Sequence, residues 1–333
     1  MKAAVLEGVE KPIVIREVAD PVAAPGFAVV RLKAAALNHR DLWIQQGRYA
    51  GLKFPCIPGS DGAGVVAATG SAADGAWVGR EVIINPSLDW GDDPRAQGPK
   101  FRILGLPDDG TWSEAITIPA ANLAPKPAHL SWEQSAALPL AGLTAWRALF
   151  TRAQLHSNET VLITGIGGGV ALFALQFALA AGARVFVTSS SAEKLARARA
   201  LGAAGGANYR EADWPAQLQK QAGGLFDLVV DSAMGEGFGR LIELTRPGGR
   251  VVFYGATTGN PPGFEARRVF FRQISVLGTT MGSPEDFAAM TRFVGEHRLV
   301  PVIDTARPLA EAGEALRRMD AASQFGKLVL TIG

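Results

Sequence analysis

At 333 residues the chain has room for two domains of roughly 150 residues each, and a hydrophobic fraction of 48% beside 19% charged residues argues against disorder, because burying that much apolar surface offsets chain entropy. Lys plus Arg number 33 against 31 Asp plus Glu, a formal net charge of +2, so no global charge favours nucleic acid or a membrane surface as partner. A single cysteine, Cys56, excludes an internal disulfide framework and any multi-cysteine zinc or iron–sulfur site.

Glu7 and Glu10 interrupt the opening stretch where a secretory leader needs an apolar run, and a cytoplasmic location is expected. The first third reads as β: short β-branched runs (AAVLEG, IVIREV, FAVVRLKAAAL, GAGVVAATG, then WVGREVIINP and WSEAITIP) alternate with Gly, Pro and Asp. Residues 87–109 carry five aspartates without periodicity and are expected to form an exposed lobe or long loop. Helix begins after Ser131, a suitable N-cap for SWEQSAALPLAGLTAWRALF.

Strands and helices then alternate from ETVLITG to ISVLGTT, the signature of a doubly wound parallel sheet with helices on both faces. FDLVVD and GRVVFYG are near-continuous apolar runs, as strands buried on both sides require. The most apolar helical segment, 170–183, is broken by Gln176 and Gly182 and falls short of the roughly 20 residues that span a bilayer. Two further helices and a closing strand, GKLVLTI, complete the chain. A strand after the α/β unit has ended implies that the C-terminus returns to the first domain. The predicted architecture is α/β: a Rossmann-type domain over 129–281 inserted into a β-rich domain built from 1–128 and 282–333.

Gly165, Gly167, Gly168 and Gly169 lie between a predicted strand and a predicted helix, with Val170 opening the helix. Missing Cβ atoms permit the tight turn and the close approach of a pyrophosphate, and the helix N-terminus supplies N–H groups and partial positive charge. No acidic residue occurs between Gly165 and Ala192, where an NAD site places the carboxylate that binds the ribose 2′-hydroxyl. Ser190, Ser191 and Lys194 stand there instead. Hydroxyls and an ammonium suit a 2′-phosphate, at about 1.5–3 kcal/mol per charge-assisted bond, so NADP(H) is the expected cofactor. The alternative is that Ser191 only caps the following helix and Lys194 is solvated.

With AAALNHRDLWIQQGRYAGLKFPCIPGSDGAGVV, DGTWSEAITIPA, SAALPLAGLTAWRAL, the glycine loop, PGGRVVFYG and FGKLVL in order, the chain resembles the medium-chain dehydrogenase/reductase superfamily, and within it the zinc-lacking quinone oxidoreductase (ζ-crystallin-like) branch. The resemblance implies a GroES-like catalytic domain beside the Rossmann domain. It sets Asn38 where zinc-dependent relatives carry a catalytic Cys, and Gly59, Ser60 and Asp61 where they carry Gly-His-Glu, so no zinc is expected.

It also implies that Asn38 and Thr144 lie beside the nicotinamide, as partners of its carboxamide and part of the substrate wall, with Asp41 orienting the Asn38 loop. Tyr49 matches the tyrosine that related enoyl-thioester reductases keep near the substrate carbonyl, and reads either as a proton donor or as an aromatic that only packs. Tyr209 is assigned to the 2′-phosphate side. Gly255, Ala256 and Thr257 are assigned to the nicotinamide ribose, and Phe325, Gly326 and Lys327 to a C-terminal contact with the cofactor or cleft. The expected function is NADPH-dependent hydride transfer to quinones or α,β-unsaturated carbonyls without metal. The alternatives are an enoyl-thioester reductase, a metal-free alcohol/aldehyde oxidoreductase, or a non-enzymatic nucleotide-binding protein with a structural or redox-sensing role. The expected partners are a small carbonyl or quinone substrate and a second copy in a homodimer, with a tetramer as the larger alternative.

Overall fold

The computed structural model describes residues 1–333, which divide into two compact units: Met1–Leu143 with Gly282–Gly333, and Thr144–Met281. The first break falls later than the expected 128/129 boundary. Trp132–Ala137, the helix after Ser131, packs on Phe27–Ala36 and Asp61–Thr69, strands of the first unit. Ser131 is the N-cap, accepting the Gln134 N–H at 3.2 Å.

The first unit is built on a seven-stranded sheet. Its spatial order is Ile303–Pro308, Lys327–Thr331, Phe27–Ala36, Asp61–Thr69, Glu81–Ile84 and Leu123–Pro125, with Ala115–Pro119 also pairing Phe27–Ala36. The closing strand Lys327–Thr331 therefore joins the first domain. Val30, Leu32, Ile84, Trp112, Leu328 and Leu330 fill the core beneath it. The register decides which side chains meet: Val329 opposes Ala36, and Ala36 opposes Asp61. Two residues further along this antiparallel ladder, Lys327 comes opposite Asn38. Three strand ends thus deliver Lys327, Asn38 and Asp61 to one place.

Residues 87–109 contain a short antiparallel pair, Ser87–Leu88 with Arg102–Ile103, where the sequence pattern shows only loop. Trp90, 2% exposed, packs edge-on against Phe101 at 5.3 Å, so aromatic burial orders this lobe despite its acidic composition.

The second unit is a six-stranded, wholly parallel sheet: Gly205–Asn208, Arg184–Ser189, Thr160–Ile163, Phe226–Asp231, Thr245–Phe253 and Ser275–Gly278. In chain order this is 3-2-1-4-5-6, the doubly wound dinucleotide-binding arrangement, whose ligands bind beyond the carboxyl ends of the strands where the order reverses. Phe226–Asp231 is buried along its whole length, Asp227 and Asp231 included, as its near-continuous apolar sequence suits in a central strand. Gly169–Ala180, apolar all round except Gln176, is the helix beside the reversal point and is mostly buried. No helix is long and apolar enough to cross a membrane.

Candidate functional site

In the Thr144–Met281 unit, the strand Thr160–Ile163 runs out at Thr164 and the chain turns through Gly165–Gly168 into the helix Gly169–Ala180. Gly165 and Gly167 have φ of +64° and +126°, conformations that L side chains resist. The turn is held from below. The Gly165 N–H donates to Thr188 Oγ1 at 3.2 Å, the Ile166 N–H to the Thr188 carbonyl at 2.8 Å, and the Thr164 hydroxyl to Asp231 Oδ1 at 2.5 Å. Asp231 is 1% exposed and also accepts the N–H groups of Ala233 and Met234. It ties the first and fourth strands in chain order together directly under the loop. Asp231 escaped sequence reading because it looks like the end of an apolar strand.

At Gly168, the helix N-cap, a Cβ would meet nothing within 4 Å, and no side chain caps the helix. Open space in front of a glycine-lined helix N-terminus is the cradle a dinucleotide pyrophosphate needs, so these residues fit the cofactor that this fold implies. Val170 lies in the first turn. Around the same strand ends, the Tyr254 N–H donates to the Asp231 carbonyl, and the Thr257 N–H and hydroxyl both donate to the Ser232 carbonyl. Gly255 packs so near Ser232 that a Cβ would lie 3.1 Å from its carbonyl oxygen. Gly255, Ala256 and Thr257 therefore form a braced loop beside the glycine turn. Burial pushes the Tyr254 phenol far above its ordinary range, so it stays protonated.

Past the strand Arg184–Ser189, Ser191 Oγ accepts the Lys194 N–H at 3.3 Å and so caps the helix Ala192–Ala200, while Ser189 Oγ accepts the Ser191 N–H at 3.2 Å. The capping bond uses the Ser191 oxygen and leaves its hydroxyl hydrogen to donate. Ser190 and Lys194 are half-buried, and Tyr209 is 46% exposed with its N–H donated to the Ser189 carbonyl. Thr144 is buried in the helix Pro139–Trp146.

In the other unit the strand register gathers a buried charged cluster. Lys327 Nζ donates to the Leu37 carbonyl at 2.7 Å, to Asn38 Oδ1 at 2.7 Å and to Asp61 Oδ2 at 2.9 Å. Asn38 Nδ2 donates to Asp61 Oδ2 at 2.9 Å, and Asp61 Oδ1 accepts the Leu140 N–H at 2.7 Å. The side chains of Lys327 and Asp61 are 4% and 0% exposed. All three ammonium hydrogens of Lys327 are committed inside the cluster. The Phe325 side chain is buried to 1% and its N–H donates to Asp304 Oδ1, which anchors the start of the closing strand.

Asp41 orients the Asn38 turn. Its Oδ2 accepts the Asn38 N–H at 2.7 Å, and its own N–H donates back to the Asn38 carbonyl. Its Oδ1 is buried without a hydrogen-bond partner. Burial pushes this carboxyl up to about 6, against the opposing pull of Arg40, the Asn38 N–H and Lys327, and with Asp61 adding to the rise. The folded chain therefore holds this proton more tightly than the unfolded chain does. The stability this contributes is complete below pH about 4 and is lost as pH rises through about 6, on the order of 3 kcal/mol. Asp41→Asn keeps an oxygen for the Asn38 N–H and cannot ionise. Its Tm relative to the parent should climb between pH 4 and pH 7, and a constant offset over that range would remove this account.

Arg40, 6% exposed, donates to Ser60 Oγ at 2.9 Å and to the carbonyls of Leu104 and Leu106 in the 87–109 lobe. Its guanidinium also lies 4.9 Å from the centre of the Tyr49 ring, with Nε donating to the phenol oxygen at 3.4 Å. Tyr49 is half-buried against Leu6, Ile44, Cys56 and Leu106. Its oxygen acts as an acceptor here and its hydroxyl hydrogen remains to donate. The packing reading of this residue is satisfied by the apolar contacts alone.

The resemblance to zinc-dependent enzymes makes zinc a question of donor chemistry at Asn38, Ser60 and Asp61. These positions supply a carboxamide, a hydroxyl that donates to the Leu104 carbonyl at 2.7 Å, and a carboxylate, with an ammonium already bonded to two of them. Zn²⁺ favours thiolate and imidazole and needs free lone pairs. Cys56 offers no thiolate, since burial, then Asp109 and Asp41, push its thiol up to about 11. No group of three or more His, Cys, Asp or Glu side chains is placed to hold a metal ion. This donor set does not fit zinc.

A doubly wound parallel sheet with a glycine cradle, in one chain with a β-rich domain closed by its C-terminal strand, defines a two-domain protein of the dinucleotide-binding fold class. Residues 24–128 match the alcohol dehydrogenase GroES-like domain and residues 169–296 match the zinc-binding dehydrogenase domain. The chain belongs to the medium-chain dehydrogenase/reductase superfamily and is an oxidoreductase of that family.

It is 36% identical to the zinc-type alcohol dehydrogenase-like protein YogA of Leptosphaeria maculans, covering 96% of this chain and 95% of that one. A solved NAD-dependent alcohol dehydrogenase superposes with a TM-score of 0.94 at 39% identity over 100% of both chains. The 2-octenoyl-CoA carboxylase reductase CinF, solved with NADP and 2-octenoyl-CoA, superposes with a TM-score of 0.90 at 27% identity, covering 99% of this chain and 87% of that one.

Proposed function

We propose that the protein is an NADPH-dependent reductase that transfers hydride to α,β-unsaturated carbonyls or quinones without a metal ion. The observation that carries this reading is the Lys327–Asp61–Asn38 cluster: at two of the positions where the resemblance sets zinc-site residues stand a carboxamide and a carboxylate, both already bonded to the Lys327 ammonium, and the carboxamide keeps one N–H to donate. Reduced nicotinamide, when bound, supplies the hydride. Gly165, Gly167, Gly168 and Gly169 would hold the pyrophosphate, while Ser190, Ser191, Lys194 and Tyr209 would hold the 2′-phosphate. Gly255, Ala256 and Thr257 would line the ribose.

Hydride arriving at the β-carbon of an enone, or at a quinone, leaves negative charge on oxygen. Asn38 Nδ2 has two hydrogens, one committed to Asp61; the other is the donor for that oxygen. Removing hydride from a plain alcohol has a different requirement, an acceptor for the hydroxyl proton or a Lewis acid, and the cluster offers neither to a ligand. Enoyl thioesters share the electronics of enones, and the CinF complex supports them as members of the same substrate class.

The test is oxidation of NADPH and NADH by metal-free protein against enones, quinones, enoyl thioesters and simple aldehydes. Conjugated acceptors should react, with NADPH preferred by about one to two decades in kcat/KM. Turnover of alcohols that depends on stoichiometric zinc would sink the reading, and tight NADPH binding with no turnover would replace it with a non-enzymatic one. A second expected result isolates the cradle. Gly168→Ala has room for its methyl and a φ of −73° that alanine accepts, so Tm should stay within a degree or two. The methyl occupies the space assigned to the pyrophosphate, so NADPH binding should weaken on the order of tenfold or more; unchanged affinity by calorimetry would place the cofactor elsewhere.

A further inference from the structure

We propose that Lys327 and Asp61 are positioning residues that lock the Asn38 carboxamide in a single orientation, with its oxygen turned inward and one N–H left to meet the substrate oxygen. The consequence for catalysis rests on the reductase reading, whereas the geometry does not.

An asparagine carboxamide is nearly symmetric in shape, and either end can face a given neighbour at little steric cost. Chemistry decides here. An ammonium has only donors, so the Asn38 atom 2.7 Å from Lys327 Nζ must be the oxygen. A carboxylate has only acceptors, so the Asn38 atom 2.9 Å from Asp61 Oδ2 must be the nitrogen. The two neighbours demand opposite ends of the same amide and so agree on one orientation.

The neighbours are themselves fixed. Lys327 is held by the Leu37 carbonyl, and Asp61 by the Leu140 N–H and, through its own carbonyl, by the Thr111 hydroxyl at 2.8 Å. Asn38 is 7% exposed, Lys327 4% and Asp61 0%, so little water competes for these bonds. Reversing the amide would set its NH2 against the ammonium and its oxygen against the carboxylate, two repulsive contacts in place of two attractive ones. The remaining hydrogen on Nδ2 is the one polar hydrogen of the cluster without an internal acceptor, and a donor aimed in advance at a developing oxyanion is worth more than one that must reorient.

The obvious variant, Lys327→Met, leaves a buried carboxylate unpaired and risks the fold. The informative variant is Asp61→Asn with Lys327→Met. The carboxamide introduced at position 61 keeps an oxygen to accept the Leu140 N–H, and its NH2 now faces Asn38, which should turn the Asn38 oxygen toward it. The fold is kept neutral while the amide is reversed. The experiment compares parent, Lys327→Arg and the double variant by kcat and KM with NADPH and an enone. It also follows the Asn38 side-chain amide in 15N-asparagine-labelled protein, assigned by its loss in Asn38→Ala.

In the double variant we expect kcat to fall on the order of 100-fold, KM for NADPH to stay within about threefold, and the Asn38 amide resonances to shift and lose exchange protection. Lys327→Arg should recover much of the rate. A folded double variant that keeps its kcat, or whose Asn38 amide resonances do not move, overturns the proposal. If the parent reduces none of the conjugated acceptors, the reductase reading falls, and the amide resonances alone then decide whether Lys327 and Asp61 orient Asn38.

Discussion

Lys327→Met should destabilise the folded protein by about 3–5 kcal/mol, the range seen when one partner of a buried ion pair is removed and the other is left. The ammonium lost is 4% exposed and the carboxylate left behind is 0% exposed, so neither solvent nor a mobile side chain can replace the interaction. Asn38 would also lose the donor at its oxygen and Leu37 the donor at its carbonyl. Asp61→Asn in the same chain removes the stranded charge, and the double variant should recover most of the lost stability. The measurement is urea unfolding of parent, single and double variants followed by far-UV circular dichroism. A single variant within about 1 kcal/mol of the parent would mean that the buried charges contribute far less than their surroundings suggest.

Asn38→Ala should lower kcat on conjugated acceptors about 100- to 1,000-fold, the cost of deleting one donor to a developing oxyanion. The substitution keeps the Lys327–Asp61 pair, so the fold should tolerate it better than Lys327→Met. NADPH affinity should change little, because none of the residues assigned to the pyrophosphate or the 2′-phosphate is touched. That separation of kcat from cofactor binding is the informative result. A variant with full kcat would show that oxyanion stabilisation comes from another donor, and Thr144 and Tyr49 would be the next positions to test.

The glycine turn shows what one-dimensional pattern carries. A β-branched run, four glycines in five residues and an apolar helix are local features, and each restricts backbone geometry where it stands. The strand Thr160–Ile163 and the helix Gly169–Ala180 follow from them almost residue for residue. The lobe at 87–109 marks the opposite case. Its five aspartates suggest a solvated loop, yet Trp90 and Phe101 bury each other and a short strand pair forms beside them. Asp93 pairs with Arg95 at the surface, and Asp89 and Asp108 with Arg102, partnerships that sequence cannot reveal.

Lys327 shows why part of the site was out of reach. In the sequence it stands in FGKLVL, one of nine lysines, and its resemblance to a C-terminal motif suggests a contact with the cofactor or cleft. Its partners Asp61 and Asn38 lie 266 and 289 residues away. Only the antiparallel register of Lys327–Thr331 on Phe27–Ala36, and of Phe27–Ala36 on Asp61–Thr69, brings the three together. Asp41 is similar in kind: its place in NHRD shows that it can brace a helix start, whereas its proton affinity depends on burial supplied by distant segments.

Order along the chain was therefore enough to determine the alternation of strands and helices, the glycine cradle and the absence of an acid behind it, because hydrophobic periodicity and backbone permissiveness act over a few residues. The three-dimensional fold alone decided which ammonium meets which carboxylate and which face of an amide is left open. Those outcomes depend on desolvation and strand pairing between segments hundreds of residues apart, and no local preference encodes them.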